Sequence, residues 1–174
     1  MNIYFVLYVP EPFATRVMDV RHAHRDTLRS SLPVEFTIAG SSGVGVLDPE
    51  QDLSKAYASI DAIAAETAPI EVEFGPVHRF PNSDVFVLTV QNPAPFFALQ
   101  KRVMASGLRF LPTPFPSFLP HCTLRSRSPI TEADANGLLG VRIPGRFTLD
   151  SLSVCGLDRP PVTLLHHAVL AGKS

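Results

Sequence analysis

The sequence predicts an α+β fold made of two related halves that face each other about a pseudo-twofold axis, and three observations lead there. Runs rich in β-branched and aromatic residues recur along the whole chain, each bounded by Pro, Gly, Asn or Asp. Amphipathic helical stretches fall between some of them. The order also repeats: "YFVLYV", a proline-opened helix and "LPVEFTIAG" are answered by "VFVLTVQ", a second proline-opened helix and "FLPHCTLRS", with Thr37 and Thr123 at equivalent places. Duplicated units usually pack about a twofold axis, so a cleft between the halves would receive one matching strand from each. A single domain over residues 1–174 is expected, with repeats at roughly 1–82 and 83–174.

Taken in order, "NIYFVLYV" is a first strand, because it is short, apolar and stopped by Pro10 and Pro12. A helix should start near Pro12, carry Phe13, Val17, Val20 and Leu28 inward, and leave Arg21, Arg25 and Arg29 on a solvated polar row. "VEFTIAG" is the next strand. A third element, helical over about Pro49 to Glu66, has Asp48 as its N-cap and Pro49 in its first turn, with Leu53, Ala56, Tyr57, Ile60, Ile63 and Ala64 as the apolar stripe. "PIEVEFGPVHRF" and "DVFVLTVQ" are strands, and a helix after Asn92-Pro93 buries Phe96, Leu99 and Val103 before stopping at Gly107. "HCTLRSR", "RFTLDSLSVCGL" and "VTLLHHAVL" complete the strands, with a short helix capped by Thr131 in "TEADANGLL".

With 45% hydrophobic residues the chain can bury a proper core, and its formal net charge of −1 gives no global basic field. A long nucleic acid or an anionic membrane surface is therefore not expected as a partner. The N-terminal apolar run is of strand length and has no basic leader, which points to a cytoplasmic chain, expected to act as a monomer. Cys122 and Cys155 sit in strand-like runs without metal spacing and are expected to be reduced core thiols. The pairs His22, His24 and His166-His167 splay apart on a helix or strand, so no metal and no cofactor is assigned. The glycines of "AGSSGVGV" lack the lysine of a phosphate-binding loop and are read as a turn or lid.

In "FLPHCTLRSR" a strand's period of two puts His121, Thr123, Arg125 and Arg127 on one face, and Cys122 and Leu124 on the other. This run resembles the His-x-Thr-hydrophobic motif of the two-histidine phosphoesterase superfamily, the group that includes the 2′-5′ RNA ligase-like cyclic phosphodiesterases. The order of elements is similar to that family over nearly the whole chain, including the mid-chain hairpin "VHRFPNSDVFVLTVQ". The resemblance implies two lobes, each a small antiparallel sheet with flanking helices, with one motif per lobe facing a central cleft. It implies metal-independent action on 2′,3′-cyclic phosphates or related RNA-end and nucleotide phosphodiesters, so the partner is a small phosphodiester or an RNA terminus. His121 and Thr123 match the second motif. In the first motif, Glu35 stands two residues before Thr37, in the place equivalent to His121. Family members often carry an arginine shortly after the motif, and Arg125 and Arg127 flank that place without filling it.

Opening a cyclic phosphate needs a base for water and an acid for the leaving oxygen, each within reach of its proton. His121 suits either task because imidazole titrates near neutrality. Glu35 is a general base aimed at water, a protonated acid with a raised pKa, or the mark of a degenerate cleft that binds a nucleotide or RNA end without cleaving it. Thr37 and Thr123 hydroxyls would hydrogen-bond the non-bridging oxygens, with Arg125 or Arg127 supplying the planar donor pair. Phe115 and Phe118, in the proline-rich run "PTPFPSFLP", are candidates for stacking on a base at the cleft mouth.

Overall fold

The computed structural model describes residues 1–173. Two four-stranded antiparallel sheets, flanked by helices, carry the fold. β1 (Asn2–Tyr8), β2 (Glu35–Ala39), β7 (Ser151–Leu157) and β8 (Thr163–Val169) form one sheet in the order β2-β1-β7-β8. β3 (Ile70–Arg79), β4 (Phe86–Val90), β5 (Cys122–Arg125) and β6 (Arg146–Leu149) form the other in the order β5-β4-β3-β6. The β1–β2 pair of the first sheet is thus repeated as the β4–β5 pair of the second.

The lobes do not follow the sequence halves. β3 comes from the first half but joins β4 in the second sheet, and β7 and β8 return from the C-terminal end to complete the first. The run "RFTLDSLSVCGL", expected as one strand, divides at Asp150 into β6 and β7, one in each sheet. Exchange of strands gives the lobes a shared core. Phe36 of β2 stacks on Phe74 of β3 at 6.0 Å, and Phe74 packs on Phe147 of β6 at 5.0 Å. Aromatic pairs of this kind add about 0.5–1.5 kcal/mol each beyond their buried area. The cleft walls are therefore anchored in one aromatic cluster.

Two helices differ from their sequence reading. α3 (Leu53–Glu66) starts at Asp52, whose carboxylate accepts the Ser54 N–H at 2.9 Å, and not at Asp48. Asp48 is occupied elsewhere: it accepts the Glu50 N–H within a turn and pairs with Arg109 at 3.0 Å. The helix expected from Pro12 breaks in two, α1 (Phe13–Ala23) and α2 (Thr27–Ser30), because Arg25 takes a left-handed φ of 56° between them. The break puts the arginine row out of phase. Leu28 is exposed, while Arg21, expected in solvent, is 1% exposed. α4 (Ala94–Met104) and α5 (Glu132–Leu139) form where expected, with the Asp134 N–H donating to Thr131 Oγ1 in the latter.

Arg21 is buried because its guanidinium is satisfied by backbone acceptors. Its Nε donates to Thr123 O at 3.0 Å and its Nη1 to Arg29 O and Leu32 O, each at 2.9 Å. One side chain thus ties α2 and the segment before β2 to β5. An Arg21→Met substitution keeps the volume but removes these buried bonds, and is expected to lower unfolding stability by about 3 kcal/mol. Urea denaturation checks this; an unchanged midpoint would show that the bonds contribute no net stability.

Candidate functional site

β2 and β5 are edge strands of their sheets and approach each other. Along β2 the period of two buries Val34, Phe36 and Ile38 and turns Glu35 and Thr37 to the cleft; before and along β5 it buries Cys122 and Leu124 and turns out His121 and Thr123. Both strands then do the same thing. Val6 pairs with Thr37 and Phe5 with Ala39, so Ile38 is an extra residue; Val87 pairs with Thr123 and Phe86 with Arg125, so Leu124 is an extra residue. A β-bulge thus follows each threonine at the equivalent place, bending each strand just beyond the site.

The cleft has a volume of about 890 Å³. Tyr4, Val6 and Tyr8 on the outer face of β1 form part of its wall, while Ile3, Phe5 and Leu7 point to the core. Gly40 closes β2 with φ +139°, where a Cβ would stand 2.2 Å from the Tyr4 ring, so only glycine lets that ring lie against the backbone. The rim comes from the β3–β4 turn with Phe80 and Pro81, from the proline-rich loop with Phe115, and from residues 157–162.

His121 has a fixed tautomer. Its Nδ1 donates to Leu119 O at 2.6 Å, because a carbonyl only accepts, which leaves Nε2 as the unprotonated nitrogen. The Phe80 ring stands edge-on to the imidazole at 5.6 Å. Burial pushes the His121 pKa below its ordinary 6.5, the Leu119 carbonyl opposes this, and the nearby charge of Arg29 adds to it. Glu35 is shifted the other way. Burial lifts its carboxyl above the ordinary 4.5, although Arg21, Arg29 and the Thr37 hydroxyl, which donates to Glu35 Oε1 at 3.3 Å, pull it down. An imidazole biased toward its neutral form and a carboxyl biased toward its protonated form thus face one cleft.

The four motif residues Glu35, Thr37, His121 and Thr123 all line the cleft, as does Phe115, which is 65% exposed at the rim. Phe118 does not; it packs edge-on against Phe97 at 5.7 Å. Nor do Arg125 and Arg127. The Arg125 guanidinium is taken by the carbonyls of His24 and Pro129, and Arg127 Nη1 donates to Thr27 Oγ1 at 2.9 Å. The bulge at Leu124 explains this, because it turns the strand away before Arg125 is reached. Two arginines do line the cleft, Arg29 from α2 and Arg159 from the rim segment 157–162, and Phe80 joins them. Sequence periodicity placed Arg29 on a solvated row, and only the break at Arg25 brings it round.

His166 and His167, the adjacent pair on β8, have local partners. His166 Nε2 lies 2.7 Å from Asp61 Oδ1 and its ring stacks on Tyr57, and His167 Nδ1 lies 3.2 Å from Ser153 Oγ. Among the described residues no three His, Cys, Asp or Glu side chains converge as a metal site. Cys122 and Cys155 are free and buried, with Cys155 at the cleft wall, where burial pushes its thiol up to about 11. The glycine-rich run is tied to the proline-rich loop, with the Gly43 N–H donating to Phe115 O at 2.8 Å and Thr113 Oγ1 to Ser41 O at 2.6 Å.

A family model described as the 2′-5′ RNA ligase superfamily matches residues 9–161. Among solved structures, TT0787 of Thermus thermophilus superposes with a TM-score of 0.75 at 17% identity, covering 100% of each chain. LigT of E. coli, complexed with 3′-AMP, gives 0.61 at 16% identity over 97% of each chain. A structure described as a phosphoesterase gives 0.56 at 17% identity over 97% of this chain and 98% of that one. No curated protein matches the chain.

Proposed function

The chain belongs to the 2′-5′ RNA ligase superfamily, and from that premise we propose that it is a metal-independent phosphodiesterase acting on nucleoside 2′,3′-cyclic phosphates or RNA-terminal phosphodiesters. The observation that carries this reading is the placement of Glu35–Thr37 and His121–Thr123 at equivalent positions of two edge strands that line one cleft. LigT has been crystallised with 3′-AMP, NADP+ and ATP, which supports a nucleotide as the ligand here.

The directions of the two pKa shifts support one assignment of roles. His121 Nε2 takes a proton from water, the water oxygen forms a bond to phosphorus, and the bond from phosphorus to the 2′ or 3′ oxygen breaks. Glu35, still carrying its proton, gives it to that leaving oxygen. The product is a phosphomonoester, with His121 protonated and Glu35 ionised until solvent exchanges the proton back. Thr37 and Thr123 donate to the non-bridging oxygens. A protonated Glu35 also removes a conflict, since an ionised carboxylate about 5 Å from a phosphodiester anion would be repelled by roughly 3 kcal/mol at an effective dielectric near 20. Phe115, exposed at the rim, would stack on the base.

Hydrolysis of the four nucleoside 2′,3′-cyclic phosphates in excess chelator tests this. Turnover of at least one of them is the expected result. Nucleotide binding without turnover would instead make the cleft a recognition site whose first motif has lost its chemistry.

A further inference from the structure

Arg29 occupies the ground between the two motif strands, and we infer that it is the phosphoryl anchor of the cleft, held in place by a relay from buried Asp26 through Ser126. The inference rests on the phosphodiester reading given above. Arg125 and Arg127 have their guanidinium groups taken by carbonyls and by Thr27, whereas Arg29 lines the cleft, as does Arg159 of the rim segment 157–162. Arg29 Nε donates to Ser126 Oγ at 3.0 Å. Among the described residues neither of its Nη groups is hydrogen-bonded and no carboxylate pairs with it, so two parallel donors remain for a ligand. That is the geometry in which a guanidinium grips a phosphoryl group with both prongs of its fork.

The support behind Arg29 is built and buried. Asp26, between α1 and α2, is fully buried and accepts the Arg29 N–H at 2.9 Å, the Ser126 N–H at 2.7 Å and the Ser126 hydroxyl at 3.4 Å. Arg29 O accepts from Arg21, so the backbone of this one residue is held at both its donor and its acceptor, and its side chain at Nε. Burial opposes the ionised form of Asp26, but the Arg29 and Ser126 N–H groups outweigh it and hold the carboxyl below its ordinary 3.8. Ser126 lies between the two arginines that turn away. Its side chain is short, which leaves room for a guanidinium arriving from α2. The positive charge of Arg29 also reaches both Glu35 and His121, where it lowers both pKa values, and all three residues line the same cleft.

Isothermal titration with adenosine 2′-monophosphate and with adenosine separates the anchor from the nucleoside pocket. Arg29→Ala is expected to weaken the nucleotide about tenfold or more and to leave adenosine unchanged. Ser126→Ala keeps the charge but frees the guanidinium, and is expected to weaken the nucleotide about threefold, with an unchanged thermal melt. Ser126→Arg added to Arg29→Ala is expected to recover part of the lost affinity. Equal nucleotide affinity in Arg29→Ala and the native protein overturns the anchor, as does an equal loss for adenosine. Unchanged affinity in Ser126→Ala overturns the relay. Because the readout is binding, a protein that grips the nucleotide through Arg29 without hydrolysing cyclic phosphates would refute the proposed activity and leave the anchor standing. Hydrolysis that survives Arg29→Ala with KM unchanged does the reverse.

Discussion

His121→Ala is expected to lower turnover of a nucleoside 2′,3′-cyclic phosphate by about 10³-fold, within the range that a positioned general base supplies. The bond at Nδ1 is the reason. With that nitrogen donating to Leu119 O, the imidazole can neither rotate freely nor change tautomer without losing a buried bond, so Nε2 is held unprotonated toward the cleft. Burial holds its pKa below the ordinary 6.5, so at pH 7 the neutral base is the predominant form. Alanine removes the base and leaves Thr123 and the Phe80 wall in place, so the nucleotide should still bind and the thermal melt should move little. Steady-state kinetics beside nucleotide titration checks both halves, and added imidazole should restore part of the rate by filling the vacated space. Turnover that is unchanged in His121→Ala would remove His121 from the mechanism.

Glu35→Gln is expected to cost about 10²-fold or more in turnover while making the folded protein more stable at neutral pH. The two effects share one cause. Burial raises the Glu35 pKa above 4.5, so over a window of pH the folded chain keeps a proton that the unfolded chain has released. Stability associated with this group is fully present below 4.5 and declines as pH rises through the raised value. Glutamine mimics the protonated carboxyl at every pH, so its stabilising advantage should be absent at low pH and grow across that window. In the rate, the rising limb set by His121 lies below 6.5 and the falling limb set by Glu35 lies above 4.5. Glu35→Gln should lose the falling limb, whereas Glu35→His should keep turnover and move that limb to the imidazole range. Urea denaturation at several pH values and pH–rate profiles of the two variants measure this. A falling limb that persists in Glu35→Gln would assign the acid to another group.

Such a trade of stability for chemistry is the usual signature of a functional carboxyl kept in an unfavourable place. It also bears on Arg21. The same buried guanidinium that ties α2 to β5 pulls the Glu35 pKa down, so Arg21→Met should raise the falling limb of the pH profile as well as weaken the fold.

Local pattern made the strands, four of the helical stretches and the second motif legible. The alternation of Val34, Phe36 and Ile38 with Glu35 and Thr37, and of Cys122 and Leu124 with His121 and Thr123, is a short-range property that any strand expresses, so the faces follow directly from residue order. The repeat was legible for the same reason, because duplicated elements keep their order. The division of the lobes was not, since hydrogen-bond partners such as β1 and β7 are distant in sequence and no local pattern says which sheet a strand joins.

What the sequence by itself determined is therefore the α+β class, the two matching strands and the identity of the groups they carry. Tertiary structure alone decided which arginine meets the cleft. A left-handed residue at Arg25 turns Arg29 in and a bulge at Leu124 turns Arg125 out. It also decided how each proton carrier is biased, because the burial that raises Glu35 and lowers His121 belongs to the assembled walls and to no single strand.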